Sequence, residues 1–362
     1  MLVNPFKKAF GLDLGDRSIK IIQLSNNYKP GVFHYSLEHA STLNLPEGLI
    51  VNGEIKQPEE VIKLLREHLA RKKVNLSRVP WVVACLPETK TYIQLVKIKT
   101  TSHEEKITEK EIMEIAPSYL PYELNDIYFD WQEIPELSEK MDRAVILAGA
   151  QKKIIDPYFY LLNIAGLIPL AFEVEAASIA RSVINRRKDL SEQSRGILDF
   201  GATRSSLIIF DHGTIQFSLS LPISGLQLTE RLQTAFNMDF EGAEKIKKEY
   251  GLLEGKAEKK VKLTLEKILE DLVENISKAV QYYKLHFPER HSLTGIRLCG
   301  GGSNLLGLEN FLSSRLKLKV RKANPWVNIF PKNKEPMDVE KSIHYTTATG
   351  LALRALEDPI IL

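Results

Sequence analysis

The chain has only two cysteines in 362 residues, Cys85 and Cys299, and each sits inside an apolar, strand-like run (WVVACLP and IRLCGGG). Thiols so placed pack as small hydrophobes, and neither a disulfide framework nor a thiolate metal site follows from them. An excess of one charge is also missing. The 49 basic and 46 acidic side chains leave a net +3, which gives no nucleic-acid footprint. The longest strongly apolar stretch, Leu161–Phe172, contains Gly166 and Pro169 and is too short to span a bilayer. The opening MLVNPFKKAF lacks the apolar core of a secretory signal. The expectation is a protein of a reducing, cytoplasmic compartment, with any membrane association made through a partner. Several catalytic signatures are absent as well. The nearest approach to a Walker loop, Gly255-Lys256, is followed by Ala257, and neither Gly-x-Ser-x-Gly nor His-Glu-x-x-His occurs. His286 and His291, separated by a proline, make a poor metal pair and read as loop histidines.

What is present is a repeated design. Gly196–Leu221, GILDFGATRSSLIIFDHGTIQFSLSL, reads as an apolar strand carrying Asp199, a bend at Gly201, and a second strand Ser205–Phe210. A turn at Asp211, His212 and Gly213 leads to a third strand, Ile215–Leu221. A tight bend of this kind bares backbone N–H groups, which suits phosphate oxygens, and the carboxylate beside it could hold a hydrated metal ion. Phe10–Leu24, FGLDLGDRSIKIIQL, repeats the design with Asp13 and Gly15, and is followed by a turn at Asn26 and Asn27 and a strand around Val32–Leu37. One Asp-x-Gly after a strand is an ordinary turn. Two copies a domain's length apart imply two related halves whose hairpins face one cleft, and in order and residue type they resemble the actin-like ATPase superfamily.

The rest of the chain fits two α/β domains. Pro58–Val74 has helical apolar spacing with a basic outer face, Arg71, Lys72 and Lys73 forming its solvated end. From about 87 to 143 the texture becomes a strand-helix-strand insertion, its helix Glu104–Ala116 capped by Ser102 and stopped before Pro117. Strand, helix, strand and helix follow up to Val183. After a bend at Ser224-Gly225 the chain turns helical, and the longest helix, Lys259–Phe287, ends at Pro288. Gly295–Val320 is a buried-type strand, three glycines and an amphipathic helix. It is not a dinucleotide fingerprint, since Leu305 occupies the final glycine position.

Within that superfamily, the run YLPYELNDIYFDWQEI and the ordered set of motifs along the chain resemble the PilM family of type IV pilus assembly proteins, to which FtsA is related. The resemblance implies an actin-like α/β fold, two RNase H-like halves around a nucleotide cleft, with an SHS2-like α+β subdomain inserted in the first. Its divisions would be 1–195 (insertion about 87–143), 196–340 (helical and β subdomain about 225–294) and a C-terminal helix, 341–362, returning to the first half. It implies ATP and Mg2+. Backbone groups of Gly15, Asp16, Arg17 and Ser18 and of Gly201, Ala202, Thr203 and Arg204 would hold the phosphates, and Asp13 and Asp199 would bind magnesium through water. FEVEAASIARS aligns without gaps to the family's Glu-Pro-x-Ala-x-Ala with Glu173 at the acidic position, although related sequences also carry an acid at Glu175. Since acids at i and i+2 do not share a helix face, one of them reaches the cleft; Glu173 is favoured as the residue that orients a water. Glu244 and Lys247 match the residues that meet the sugar and base side, and Gly300, Gly301, Gly302 and Ser303 match the adenosine motif. Asn275, Ser277 and Lys278 depart from the Glu and Arg usual on the long helix.

The implied activity is slow ATP turnover at most. The implied partner is the N-terminal tail of a PilN-like single-pass inner-membrane protein, docked beside the insertion, with self-association left open. Tyr119, Tyr122 and Trp131 are candidate groove anchors, or else core residues of the insertion. The machine could be a pilus, a competence system or a type II secretion apparatus. Two alternatives stand beside this reading. An FtsA-like division protein would need a C-terminal amphipathic membrane helix, which Asp358-Pro359 interrupts. A small-molecule kinase would need a substrate-side carboxylate.

Overall fold

The fully buried run Phe10–Leu14 forms the centre of the first of the two large sheets. In the computed structural model, the described residues are 6–357 apart from 7, 30–31, 73–79, 100–106, 135–136, 138–141, 187–192, 256–258 and 288–290. The first part comprises β1 (Phe10–Leu14), β2 (Ser18–Lys29), β3 (Val32–Asn44), the short pair β4 (Ile50–Val51) and β5 (Glu54–Ile55), α1 (Pro58–Arg71) and β6 (Trp81–Leu86). The insertion follows with β7 (Thr91–Lys99), α2 (Glu109–Ile115), β8 (Ile127–Glu133) and β9 (Asp142–Gln151), and then come α3 (Lys152–Ile164), β10 (Ile168–Val174) and α4 (Glu175–Val183). The second part holds β11 (Ser194–Phe200), β12 (Ser205–Asp211), β13 (Thr214–Leu221), α5 (Gly225–Phe236), α6 (Phe240–Tyr250), α7 (Lys259–His286), β14 (Leu293–Cys299), α8 (Leu308–Leu316), β15 (Lys319–Lys322), α9 (Val339–Ser342) and α10 (Thr346–Glu357).

The first sheet runs β10-β6-β1-β2-β3, and the second contains the same plan, β15-β14-β11-β12-β13. In each, an antiparallel hairpin lies on one side of the central strand and parallel strands on the other. The second sheet does not stop there. Phe217 of β13 pairs with Gln94 of β7, so β7, β9 and β8 extend it to eight strands. The insertion keeps its own core, where Val96, Ile98, Val145 and Leu147 pack on Ile112 of α2.

Helix placement follows from burial. α7 buries Val261, Leu265, Leu269, Leu272, Ile276, Ala279 and Tyr283, one stripe at helical spacing, against the second sheet. α10 crosses α4 so closely that a Cβ on Gly350 would lie 1.8 Å from the Ser178 carbonyl oxygen. Only glycine permits that approach, which fixes the helix carrying Arg354 over β1 and β6.

Two local expectations fail. No turn forms at Asn26 and Asn27, because β2 and β3 stay paired through them to Lys29↔Val32; an Asn-Asn pair without glycine does not outweigh a continuing ladder. The insertion helix starts later than expected. Thr108 caps it, its hydroxyl accepting the Glu111 N–H while the Glu111 carboxylate accepts from the Thr108 N–H. Ser102 lies outside the described residues, as does Pro288; α7 ends at His286.

Candidate functional site

Carboxylates gather where the parallel strands end, the usual location of sites in α/β sheets. Asp13 is near the end of β1 and Asp199 near the end of β11, while Glu88 and Glu175 follow β6 and β10. All four line one cleft of about 950 Å³. The two hairpin bends line it too and close identically: the Gly15 N–H donates to the Ser18 carbonyl at 3.0 Å and the Gly201 N–H to the Arg204 carbonyl at 2.9 Å. Each cysteine lies in the strand beside its carboxylate. Cys85 Sγ donates to Asp13 Oδ1 at 3.3 Å, and Cys299 sits in register with Asp199. Burial pushes both thiols well up, so they remain neutral donors.

Positive charge in the cleft is insufficient for this many acids. Lys20 faces Asp13 across the hairpin, Nζ 2.8 Å from Oδ2. Burial acts to lower its pKa, but the charge and hydrogen bond of Asp13 hold it above the ordinary value. Burial, then the charges of Asp199 and Asp13, pushes Glu175 up to about 8. Burial raises Asp199 to about 6, with Asp13 adding to the effect and Lys20 opposing it. Burial also raises Glu88 and, with Lys20, lowers His344 to about 4. Three buried polar atoms of cleft-lining residues have no protein partner: Arg204 Nη1, Glu88 Oε2 and Asn304 Oδ1. An oxygen-rich, charge-starved cluster of this kind suits a hard divalent cation, and the Arg204 guanidinium, paired through Nη2 with Asp16 at 3.6 Å but with Nη1 unpartnered, suits an anion.

The structure brings most of the expected residues to this cleft: Gly15, Asp16, Arg17, Ser18, Gly201, Ala202, Thr203, Arg204, Glu244, Lys247, Gly300, Gly301 and Gly302 all line it. Lys247 Nζ lies 2.5 Å from Glu244 Oε2 and also donates to the Gly225 carbonyl. Gly300 has φ of 78° and no room for a side chain, since a Cβ would meet Asp199 Oδ1 at 2.4 Å. Asp16 is committed to the protein. Its carboxylate accepts from the N–H groups of Asn52 and Gly53 and, across the cleft, from the Thr203 hydroxyl at 3.1 Å. Arg17 pairs with Glu47 at the rim. Ser303 is a correction: it is fully buried behind the glycines, and its hydroxyl returns to the Cys299 carbonyl. Asn275 and Lys278 line a separate, smaller cavity with Tyr92 and Tyr282. Lys20, Glu88, Asn304, His344 and Thr347 were not expected. For Lys20 the usable signal was strand register, and for Glu88 its place just past a parallel strand.

Glu173 is the principal correction. It does not reach the cleft; Glu175, the first residue of α4, does. Glu173 still belongs to β10, and the strand's alternation turns it to the face covered by α4 and α10. There it is 4% exposed, bidentate with Arg181 and 2.9 Å from Arg354. These three residues line the inner end of a second cavity, an apolar groove of about 920 Å³ between β10 and α4 on one side and β8 and β9 on the other. Phe129, Trp131, Phe159 and Phe172 furnish its aromatic lining, and Phe210, Gly213, Thr214 and Ile215 from the β12–β13 hairpin form one wall. Of the three candidate anchors, only Trp131 lines it. Tyr122 packs on the insertion's core, and the Tyr119 hydroxyl donates to the Lys97 carbonyl.

The family model described as type IV pilus assembly protein PilM matches residues 11–356. The chain belongs to this family. A solved PilM-PilN type IV pilus biogenesis complex is similar over 98% of this chain and 100% of its own, at 24% identity and a TM-score of 0.81. MreB5 of Spiroplasma citri bound to AMPPNP covers 96% of each chain at 14% identity, TM-score 0.56. The ethanolamine utilization protein EutJ from Carboxydothermus hydrogenoformans covers 97% of this chain and 92% of its own at 14% identity, TM-score 0.52. The fold is therefore actin-like. Among the described residues no helix is long and apolar enough to cross a membrane.

Proposed function

We propose that this chain is a nucleotide-loaded cytoplasmic adaptor of type IV pilus assembly or of a related secretion or competence machine. It would hold ATP and Mg2+ in the cleft and the N-terminal tail of a PilN-like inner-membrane protein in the groove. The observation that carries the reading is the cluster of Asp13, Glu88, Glu175 and Asp199 facing two hydrogen-bonded bends, with the Arg204 guanidinium only partly satisfied. When bound, the magnesium nucleotide would supply the cation that neutralises the carboxylates and the phosphoryl group available for slow transfer to water. Asp13 and Asp199 would hold the cation through its waters, a mode that suits an ion reluctant to dehydrate. Lys20, Arg204 and N–H groups of the two bends would hold phosphate, Glu244 and Lys247 the ribose side, and Gly300–Gly302 with Asn304 the base side. Glu175, in place of Glu173, would orient a water. Positioning and charge are what such chemistry needs from a protein.

A same-fold structure bound to AMPPNP supports a nucleotide here, and the PilM-PilN complex supports a PilN-like partner. The divisions proposed are two halves, 1–195 and 196–340, a returning C-terminal helix, and an SHS2-like insertion; the extent of β9 carries that insertion's sheet past 143. Equilibrium dialysis of ATP with and without Mg2+ tests the cleft. Asp13→Ala combined with Asp199→Ala should weaken magnesium-dependent binding by about 100-fold, roughly two lost charged contacts at about 1.5 kcal/mol each. Unchanged affinity in the double variant would refute the assignment.

A further inference from the structure

The turn joining β12 to β13 contains a side-chain cluster that lies outside the cleft. Asp211, the last residue of β12, is fully buried, and a ring nitrogen from each of two histidines lies beside its carboxylate. His291 Nδ1 is 2.8 Å from Oδ1 and His212 Nε2 is 3.8 Å from Oδ2. The three donor atoms lie within 4.8 Å of one another. Donors bound to one tetrahedral zinc at about 2.0–2.2 Å are separated by roughly 3.3–3.5 Å, so small side-chain movements would close the set.

We infer that Asp211, His212 and His291 form a transition-metal site of the zinc class. Two imidazoles and one carboxylate favour zinc over magnesium or calcium, which prefer oxygen alone. The carboxylate is oriented from behind, since its Oδ2 accepts from the Tyr283 hydroxyl and from the His291 N–H at 2.8 Å. Such outer hydrogen bonds are what fix a ligating group. Both histidines are partly exposed, which leaves the fourth position open to water. The backbone adds a separate observation. His212 occupies φ of 48°, the left-handed conformation in which Asn or Gly serves a two-residue hairpin at less cost, so the imidazole stands where turn geometry alone does not require it. Residues on both sides of this turn, Phe210, Gly213, Thr214 and Ile215, line the groove. A bound metal would tie that wall to the chain entering β14.

The test is titration of the full chain with Zn2+ against a chromophoric chelator, repeated with Co2+ to read the visible absorption of a tetrahedral site. One equivalent should bind, and Zn2+ should raise the melting temperature. His212→Asn keeps a residue suited to the left-handed turn and removes one ligand, so it should fold normally and lose roughly 100-fold or more in affinity together with the thermal shift. His291→Ala should do the same. Absence of stoichiometric binding overturns the inference, as does affinity unchanged in His212→Asn or binding abolished instead by Asp13→Ala with Asp199→Ala.

Discussion

Glu173→Ala should destabilise the folded chain by about 3–5 kcal/mol, the cost of removing one member of a buried ion cluster and leaving the others unpaired. Arg354 is 6% exposed and Arg181 is largely enclosed, and both point at the Glu173 carboxylate. Without it, two guanidiniums would remain in an apolar groove with little water to solvate them. Glu173→Gln keeps one acceptor and should cost less. Urea unfolding at neutral pH measures both variants. A loss below about 1 kcal/mol for Glu173→Ala would place this carboxylate among the surface-type pairs, whose contribution is small, and would remove it as the anchor of β10, α4 and α10.

Glu175→Gln should behave in the opposite way. A carboxyl whose folded-state pKa lies above its unfolded value stabilises the fold while it keeps its proton. For Glu175 that contribution is complete below the unfolded value of 4.5 and is lost as pH rises through about 8. The nucleotide-free wild type should therefore lose stability between pH 5 and pH 8.5, whereas the glutamine variant, which has no proton to lose there, should be the more stable protein at pH 8.5 by an amount on the order of 2 kcal/mol. Asp199 titrates with its neighbours, so the slope belongs to the cluster, and Glu175→Gln should flatten it without abolishing it. Magnesium nucleotide should flatten the wild-type slope as well by supplying the missing positive charge. Urea denaturation at the two pH values decides the matter; equal loss in wild type and variant would mean that Glu175 does not carry the strain. ATP turnover should fall in the same variant while its nucleotide affinity persists.

The hairpins were legible because each needs only local signals: a strand, one carboxylate, a glycine bend and a second strand. They appear where Asp13 and Asp199 were placed, in sheets of matching order. What failed depended on information that a residue string does not contain. Glu173 and Glu175 differ by two positions, and the boundary between β10 and α4 falls between them, so an ungapped motif match chose the residue that the sheet turns away from the cleft. Lys20 looked like any polar residue of an alternating strand until the register Asp13↔Lys20 paired it with the carboxylate. Ser303 followed a glycine run but turned inward to satisfy a carbonyl. The groove was the least legible feature. Its aromatics come from β8, α3 and β10, which belong to different layers, and its hairpin wall shares the eight-stranded sheet with β8 only through the pair Phe217↔Gln94. Tyr122 and Trp131 pack on the same insertion core, but only Trp131 also lines the groove, a difference that sequence proximity does not show.

The adaptor reading stands on the groove and the cleft working in one molecule, and calorimetric titration of a PilN-like N-terminal tail peptide tests that most directly. The titration should be run with and without ATP and Mg2+, on the wild type and on Phe159→Asp. Phe159 is 52% exposed and lines the groove, so a carboxylate there leaves the core intact while spoiling an apolar wall. The expected result is micromolar or tighter binding, strengthened by magnesium nucleotide and weakened at least about tenfold, or 1.4 kcal/mol, by Phe159→Asp. A tail that does not bind, or that binds the variant as well as the wild type, would contradict the proposal.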